Sequence, residues 1–170
     1  MAARTPDFSL AVAGVDGLCP AGETHAQAQI ARRATPVLAC EGPCIRGEIA
    51  RLAANRVAAE VPGLARACHA ETFTVPHSAR ARWVRGAPRS IVVDGCFLSC
   101  HGRTLRGIVG ADKVVQIDAM PLHRKYGGVF AMNDVPEAER QEVARAVAER
   151  IAQRLAREGL LPATVSVPAS

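Results

Sequence analysis

Lysine is nearly missing from this 170-residue chain: only Lys113 and Lys125 are lysines among 21 basic residues, the rest being arginine. No basic run exceeds two residues and aromatics make up only 4%, so polybasic arms and stacking platforms for single strands are both lacking. With alanine abundant, the net charge of +5 reads as compositional bias and argues against nucleic acid as a partner. No stretch approaches the roughly 18 consecutive apolar residues of a membrane span, so no membrane partner is expected. Residues 1–8 lack the charged n-region and the apolar h-region of a secretory signal, and the expected location is cytoplasmic. Hydrophobic residues at 49%, charged residues at 22% and a mean hydropathy of +0.08 exclude a disordered tail, a collagen and a coiled-coil rod. A chain of this length fits one domain with a real core and needs no disulfides to hold small loops together.

Cysteine is the informative presence. The six are Cys19, Cys40, Cys44, Cys68, Cys96 and Cys100, and four of them form two pairs of equal spacing, Cys40-x3-Cys44 and Cys96-x3-Cys100. In a chain of this kind, closely spaced cysteines point to metal or redox chemistry rather than structural disulfides.

Short apolar runs alternate with helical patterns. Residues 35–40 form a buried strand closed by Glu-Gly-Pro, and from Cys44 onward Ile45, Ile49, Leu52, Ala53 and Val57 recur at helical spacing until Pro62-Gly63. Residues 64–74 are expected to be a second strand, residues 90–94 a third with a β-branched core, and residues 113–118 a fourth. Between the last two strands lies a helix carrying Leu98, Leu105, Ile108 and Val109. Asp134-Val-Pro-Glu137 has the form of a capping box opening a long helix with the stripe Val143, Val147, Ile151 and Leu155, ended by Gly159. Residues 1–34 read as an N-terminal extension in which only residues 24–33 could be helical, and residues 160–170 as a loose tail. The alternation implies an α/β fold: a small open, mostly parallel sheet with helices on both faces. Such sheets bind ligands at the carboxyl ends of their strands, where both cysteine pairs fall.

The segment Ser90-Ile-Val-Val-Asp-Gly-Cys-Phe-Leu-Ser-Cys100, with Cys40-Glu-Gly-Pro-Cys44 upstream, resembles the DGC-domain family, whose name is the tripeptide found here as Asp94-Gly95-Cys96. The resemblance spans about residues 36–120, and it implies that residues 35–159 are a single α/β metal-binding domain. Many members space the first pair as Cys-x2-Cys, whereas this chain has x3. The implied cofactor is Zn²⁺ and the implied ligands are Cys40, Cys44, Cys96 and Cys100, with Cys68 and His101 as alternates; no reaction is implied.

Four thiolates around Zn²⁺ leave a formal charge of about −2, which the N-termini of two helices would favour. Asp94, before a glycine at a strand end, is expected to orient the loop that holds Cys96. Trp83 is expected either to cover the site or to lie on the surface, and His25, His77 and His123 to be surface or loop residues.

An enzymatic alternative rests on Cys40-Glu-Gly-Pro-Cys-Ile-Arg46. Its Cys-x5-Arg form is similar to the phosphate loop of low-molecular-weight phosphatases and thioredoxin-coupled arsenate reductases, with Cys40 as nucleophile and Arg46 as clamp. Gly47 stands where that family has Ser or Thr, and no Asp-Pro loop follows. A thiol redox enzyme using either pair is a third possibility.

Overall fold

Strands made mostly of apolar and β-branched residues are best covered on both faces, and the chain does this by placing them side by side in the middle. The computed structural model describes residues 7–161. Strands β1 (Thr35–Ala39), β2 (Leu64–Arg66), β3 (Ser90–Asp94) and β4 (Val114–Asp118) form one sheet of order β2-β1-β3-β4 in which every pairing is parallel. All five residues of β3 are buried.

Helix α2 (Ile45–Glu60) crosses from β1 to β2 over one face, and the long α7 (Glu137–Arg157) lies beside it. Ile49, Ala53 and Val57 of α2 and Val147, Ile151 and Leu155 of α7 pack there on Val37, Ala39, Ile91, Val93 and Ile117. Each fully buried Ile or Leu side chain contributes roughly 1.5–3 kcal/mol. Helices α4 (Ala79–Gly86) and α5 (Cys100–Val109) cover the opposite face, where Leu38, Val92, Trp83, Val84 and Leu105 form a second core. Helices α3 (His69–Thr74) and α6 (Met120–His123) are single short turns after β2 and β4. Among the described residues no helix is long and apolar enough to cross a membrane.

The chain leaves β1 towards β2, then returns past β1 to β3 and β4. Connections on either side of the β1–β3 boundary therefore depart in opposite directions, which opens a crevice at the carboxyl ends of these two strands.

Several local expectations are corrected. The second strand ends at Arg66, and residues 69–74 are helical although Thr72, Phe73 and Thr74 favour strand. The Thr72 and Thr74 hydroxyls instead bond back to the carbonyls of Cys68 and Ala70, as helical threonines do. Asp134 is no cap: it closes a 3-10 turn, Val135 runs extended into the core, and α7 starts at Glu137 with Pro136 as its cap residue. Leu98 lies outside α5 and is exposed.

Helix α1 (Pro20–Ala31) begins four residues earlier than expected, because Pro20 suits a first helical position. It packs on α4, where the Glu23 carboxylate accepts the Ala79 N–H at 2.6 Å. Trp83 neither covers the cysteine site nor lies on the surface; its indole N–H reaches the Ala34 carbonyl at 2.8 Å inside the second core, with His25 of α1 edge-on to its ring. Leu160 and Leu161 pack against the first core, whereas residues 162–170 of the expected loose tail lie outside the described residues.

Candidate metal centre at the carboxyl edge of the sheet

Because all four strands are parallel, residues that follow them share one edge. Cys68 comes two residues after β2, Cys40 one after β1 and Cys96 two after β3, so three cysteines follow three adjacent strands. β1 and β3 are direct neighbours, as convergence of the two cysteine pairs requires.

The first loop is built around α2. Cys44 is the N-cap of that helix, and its sulfur accepts the Gly47 N–H at 3.4 Å, a task usually given to Ser, Thr, Asp or Asn. The Cys40 sulfur accepts the Gly42 N–H at 3.4 Å, and the backbone N–H of Gly95 from the second loop is near enough to favour its thiolate. Burial pushes the Cys40 thiol up, and these two N–H groups oppose the rise. A segment beyond β4 straps the loop from outside: the Ile45 N–H donates to Phe130 O at 3.0 Å, Cys44 and Ala131 form an isolated antiparallel bridge, and Arg46 donates to Gly127 O.

In the Asp94-Gly95-Cys96 tripeptide, each residue has its own task. A Cβ on Gly95 would stand 2.6 Å from the Arg46 carbonyl oxygen and 2.8 Å from Gly47 N, so only glycine lets the second loop lie on the first turn of α2. Asp94 is buried and accepts the N–H groups of His101 and Gly102, each at 3.2 Å. It therefore fastens the start of α5 rather than the loop at Cys96. Burial raises the Asp94 carboxyl, against the pull of those two N–H bonds. Cys96 opens a turn in which Ser99 N–H donates to Cys96 O at 3.0 Å, and Ser99 adopts a left-handed conformation with φ 49° before α5 begins at Cys100.

The loops meet, but the sulfurs do not share a point. All six cysteines are free thiols; Cys100 is exposed on the first turn of α5, and Cys40, Cys44, Cys68 and Cys96 are partly buried. Among the described residues no three His, Cys, Asp or Glu side chains are close enough to hold one ion. The donor set itself suits zinc, since soft thiolates in two short loops at helix N-termini favour it. Bringing the four together requires the two loops to rearrange. Cys19, outside this edge, caps α1 by accepting the Gly22 N–H at 3.4 Å.

The alternates Cys68 and His101 line one cavity together with His69. His69 and His101, each directly after a cysteine, stack with ring centroids 4.3 Å apart. Burial, followed by the charges of His101 and Arg66, lowers His69 to about 3, and burial also lowers His101. The sequence signal for this pairing is the repeated Cys-His step at two strand ends, Cys68-His69 and Cys100-His101, which makes each histidine a candidate ligand but does not show that the two meet. His123 is half-buried in α6, and its Nδ1 accepts the Lys125 N–H at 3.0 Å.

The phosphatase-like geometry is weakened by the same contacts. An oxyanion cradle needs free loop N–H groups and a guanidinium folded over them. Here the N–H groups of Gly42, Ile45 and Gly47 already have partners and Arg46 reaches away to Gly127. A thiol raised by burial is also a poor start for a thiolate nucleophile.

No curated protein and no solved structure matches the chain. A family description does: the DGC domain matches residues 36–147, from the second residue of β1 to the middle of α7, and takes in every element that forms this edge. The chain belongs to the DGC domain family.

Proposed function

We propose that this protein binds one Zn²⁺ through the thiolates of Cys40, Cys44, Cys96 and Cys100, as a structural or carried ion, in a compartment that keeps thiols reduced. The observation that supports the reading is the meeting of the two loops: Gly95, next to Cys96, lies so close to the first turn of α2 that a Cβ on it would stand 2.6 Å from the Arg46 carbonyl oxygen. The N-termini of α2 and α5 face the same edge, and their dipoles favour a thiolate cluster of net negative charge. Zinc would supply the attraction that draws the two loops together, so metal binding and local ordering are linked.

The test is metal content of protein purified under a non-thiol reductant. Wild type is expected to carry about one zinc per chain, and the Cys96→Ser, Cys100→Ser variant to lose the metal and with it part of its stability. Full zinc occupancy in that variant would remove the assignment.

A further inference from the structure

A cavity of about 520 Å³ opens at the carboxyl ends of β1 and β2, beside the cysteine loops. Cys68, His69 and Phe73 line it from the β2–α3 segment, and His101 from α5. His69 is only 6% exposed, yet its Nε2 has no hydrogen-bond partner, and the buried Nδ1 of His101 has none either. Buried polar atoms in folded proteins almost always have partners, so two orphan imidazole nitrogens on side chains that line one cavity single it out as a candidate ligand position.

The charges around the cavity narrow the choice. Arg66 is paired with Glu41 at 2.9 Å and also donates to Asn55 at 2.7 Å and to the Val37 carbonyl at 2.8 Å. Arg80 is paired with Glu71 at 2.8 Å. Both guanidiniums are neutralised and committed to the fold, which leaves little to attract a free oxyanion. What remains on the lining is two imidazoles, their rings 4.3 Å apart, and imidazole nitrogen is a common metal ligand.

We propose that His69 and His101 form a second, imidazole-based site that takes a divalent transition ion, with water or a carried ligand in its remaining positions. Imidazole nitrogen suits zinc, copper, nickel and cobalt. With only two protein ligands the site is open, suited to reversible binding. It is independent of the four-cysteine reading and uses none of those sulfurs.

The experiment adds Co²⁺ to the full chain carrying Cys96→Ser and Cys100→Ser, under a non-thiol reductant, and follows the imidazole C–H resonances of its five histidines by NMR. The His69 and His101 resonances are expected to shift or broaden at the lowest additions, before those of His25, His77 and His123. His101→Gln, with folding checked through Trp83 fluorescence, is expected to weaken Co²⁺ binding at least tenfold. Broadening spread evenly over the histidines, none at His69 and His101 at saturation, or unchanged affinity in a folded His101→Gln chain would overturn the proposal. Zinc retention by the cysteine variant bears only on the thiolate site, so the two readings fail separately.

Discussion

The Asp94 carboxylate accepts the backbone N–H of Gly102 at 3.2 Å, which fixes the start of α5 to the end of β3. The approach is so close that a Cβ on Gly102 would lie 2.6 Å from Asp94 Oδ2 and 2.8 Å from the Gln116 side-chain carbonyl carbon. Gly107, one and a half turns later on the same helix, has nothing within 4 Å of its Cβ position. Gly102→Ala is therefore expected to destabilise by about 1–3 kcal/mol through overpacking. Gly107→Ala is expected to stabilise by about 0.5–1 kcal/mol through helix propensity. Urea unfolding followed by Trp83 fluorescence measures both, and effects of the same sign would contradict the proximity.

Asp94 itself separates hydrogen bonding from charge. Asp94→Ala strands the N–H groups of His101 and Gly102 and is expected to cost about 1–3 kcal/mol. Asp94→Asn keeps an acceptor in place and also relieves a buried carboxyl that burial has already raised, so its loss should be smaller. Equal losses in urea midpoint for the two variants would mean that the carboxylate charge, and not its acceptor role, holds α5.

Much of this edge was legible in the sequence. The β-branched runs at 35–39, 90–94 and 114–118 read as strands, of which β1 and β3 are central and β4 lies at an edge, and the equal cysteine spacings mark two loops that parallel strands bring to one edge. The roles of Gly95 and Asp94 were not legible in full, because each depends on which helix turn lies across the loop. The contact between His69 and His101 is hidden for a related reason: it joins α3 to α5 across the sheet edge, and residues 69–74 carry a strand-like composition. Trp83 was ambiguous because its neighbours Arg80, Arg82 and Arg85 suggest a surface, whereas docking of α1 buries the ring.

Tyr126, in the segment that straps the Cys40–Cys44 loop, gives a pH-dependent prediction. Its hydroxyl donates to Glu139 at 2.7 Å, and burial first, then that carboxylate, pushes the phenol up to about 12. A phenol raised above its unfolded value of about 10 adds stability that is complete below that pH. The contribution disappears as pH rises through about 12. Tyr126 is the single tyrosine of the chain, so its phenolate absorbance can be titrated without interference. The midpoint is expected well above that of free tyrosine in the native protein and lower in Glu139→Gln. An unchanged midpoint in Glu139→Gln would show that Glu139 does not raise it.

Cys44 joins the fold to the proposed metal chemistry, because one sulfur caps α2 and is offered as a zinc ligand. Serine preserves an acceptor at the cap but provides no thiolate, whereas alanine removes both. In metal-free protein, Cys44→Ser is expected to match or exceed wild-type stability, since a hydroxyl oxygen is the better cap acceptor. Cys44→Ala should lose about 0.5–2 kcal/mol, the usual cost of deleting an N-cap. With zinc present, both variants should bind it more weakly than wild type, and by similar factors, because each lacks the same sulfur. Thermal unfolding with and without added zinc reads the two effects separately. Equal metal-free stability of the Ser and Ala variants would show that the sulfur does no capping. An undiminished rise of the melting temperature with zinc in Cys44→Ser would remove Cys44 from the ligand set while leaving its place at the start of α2 intact.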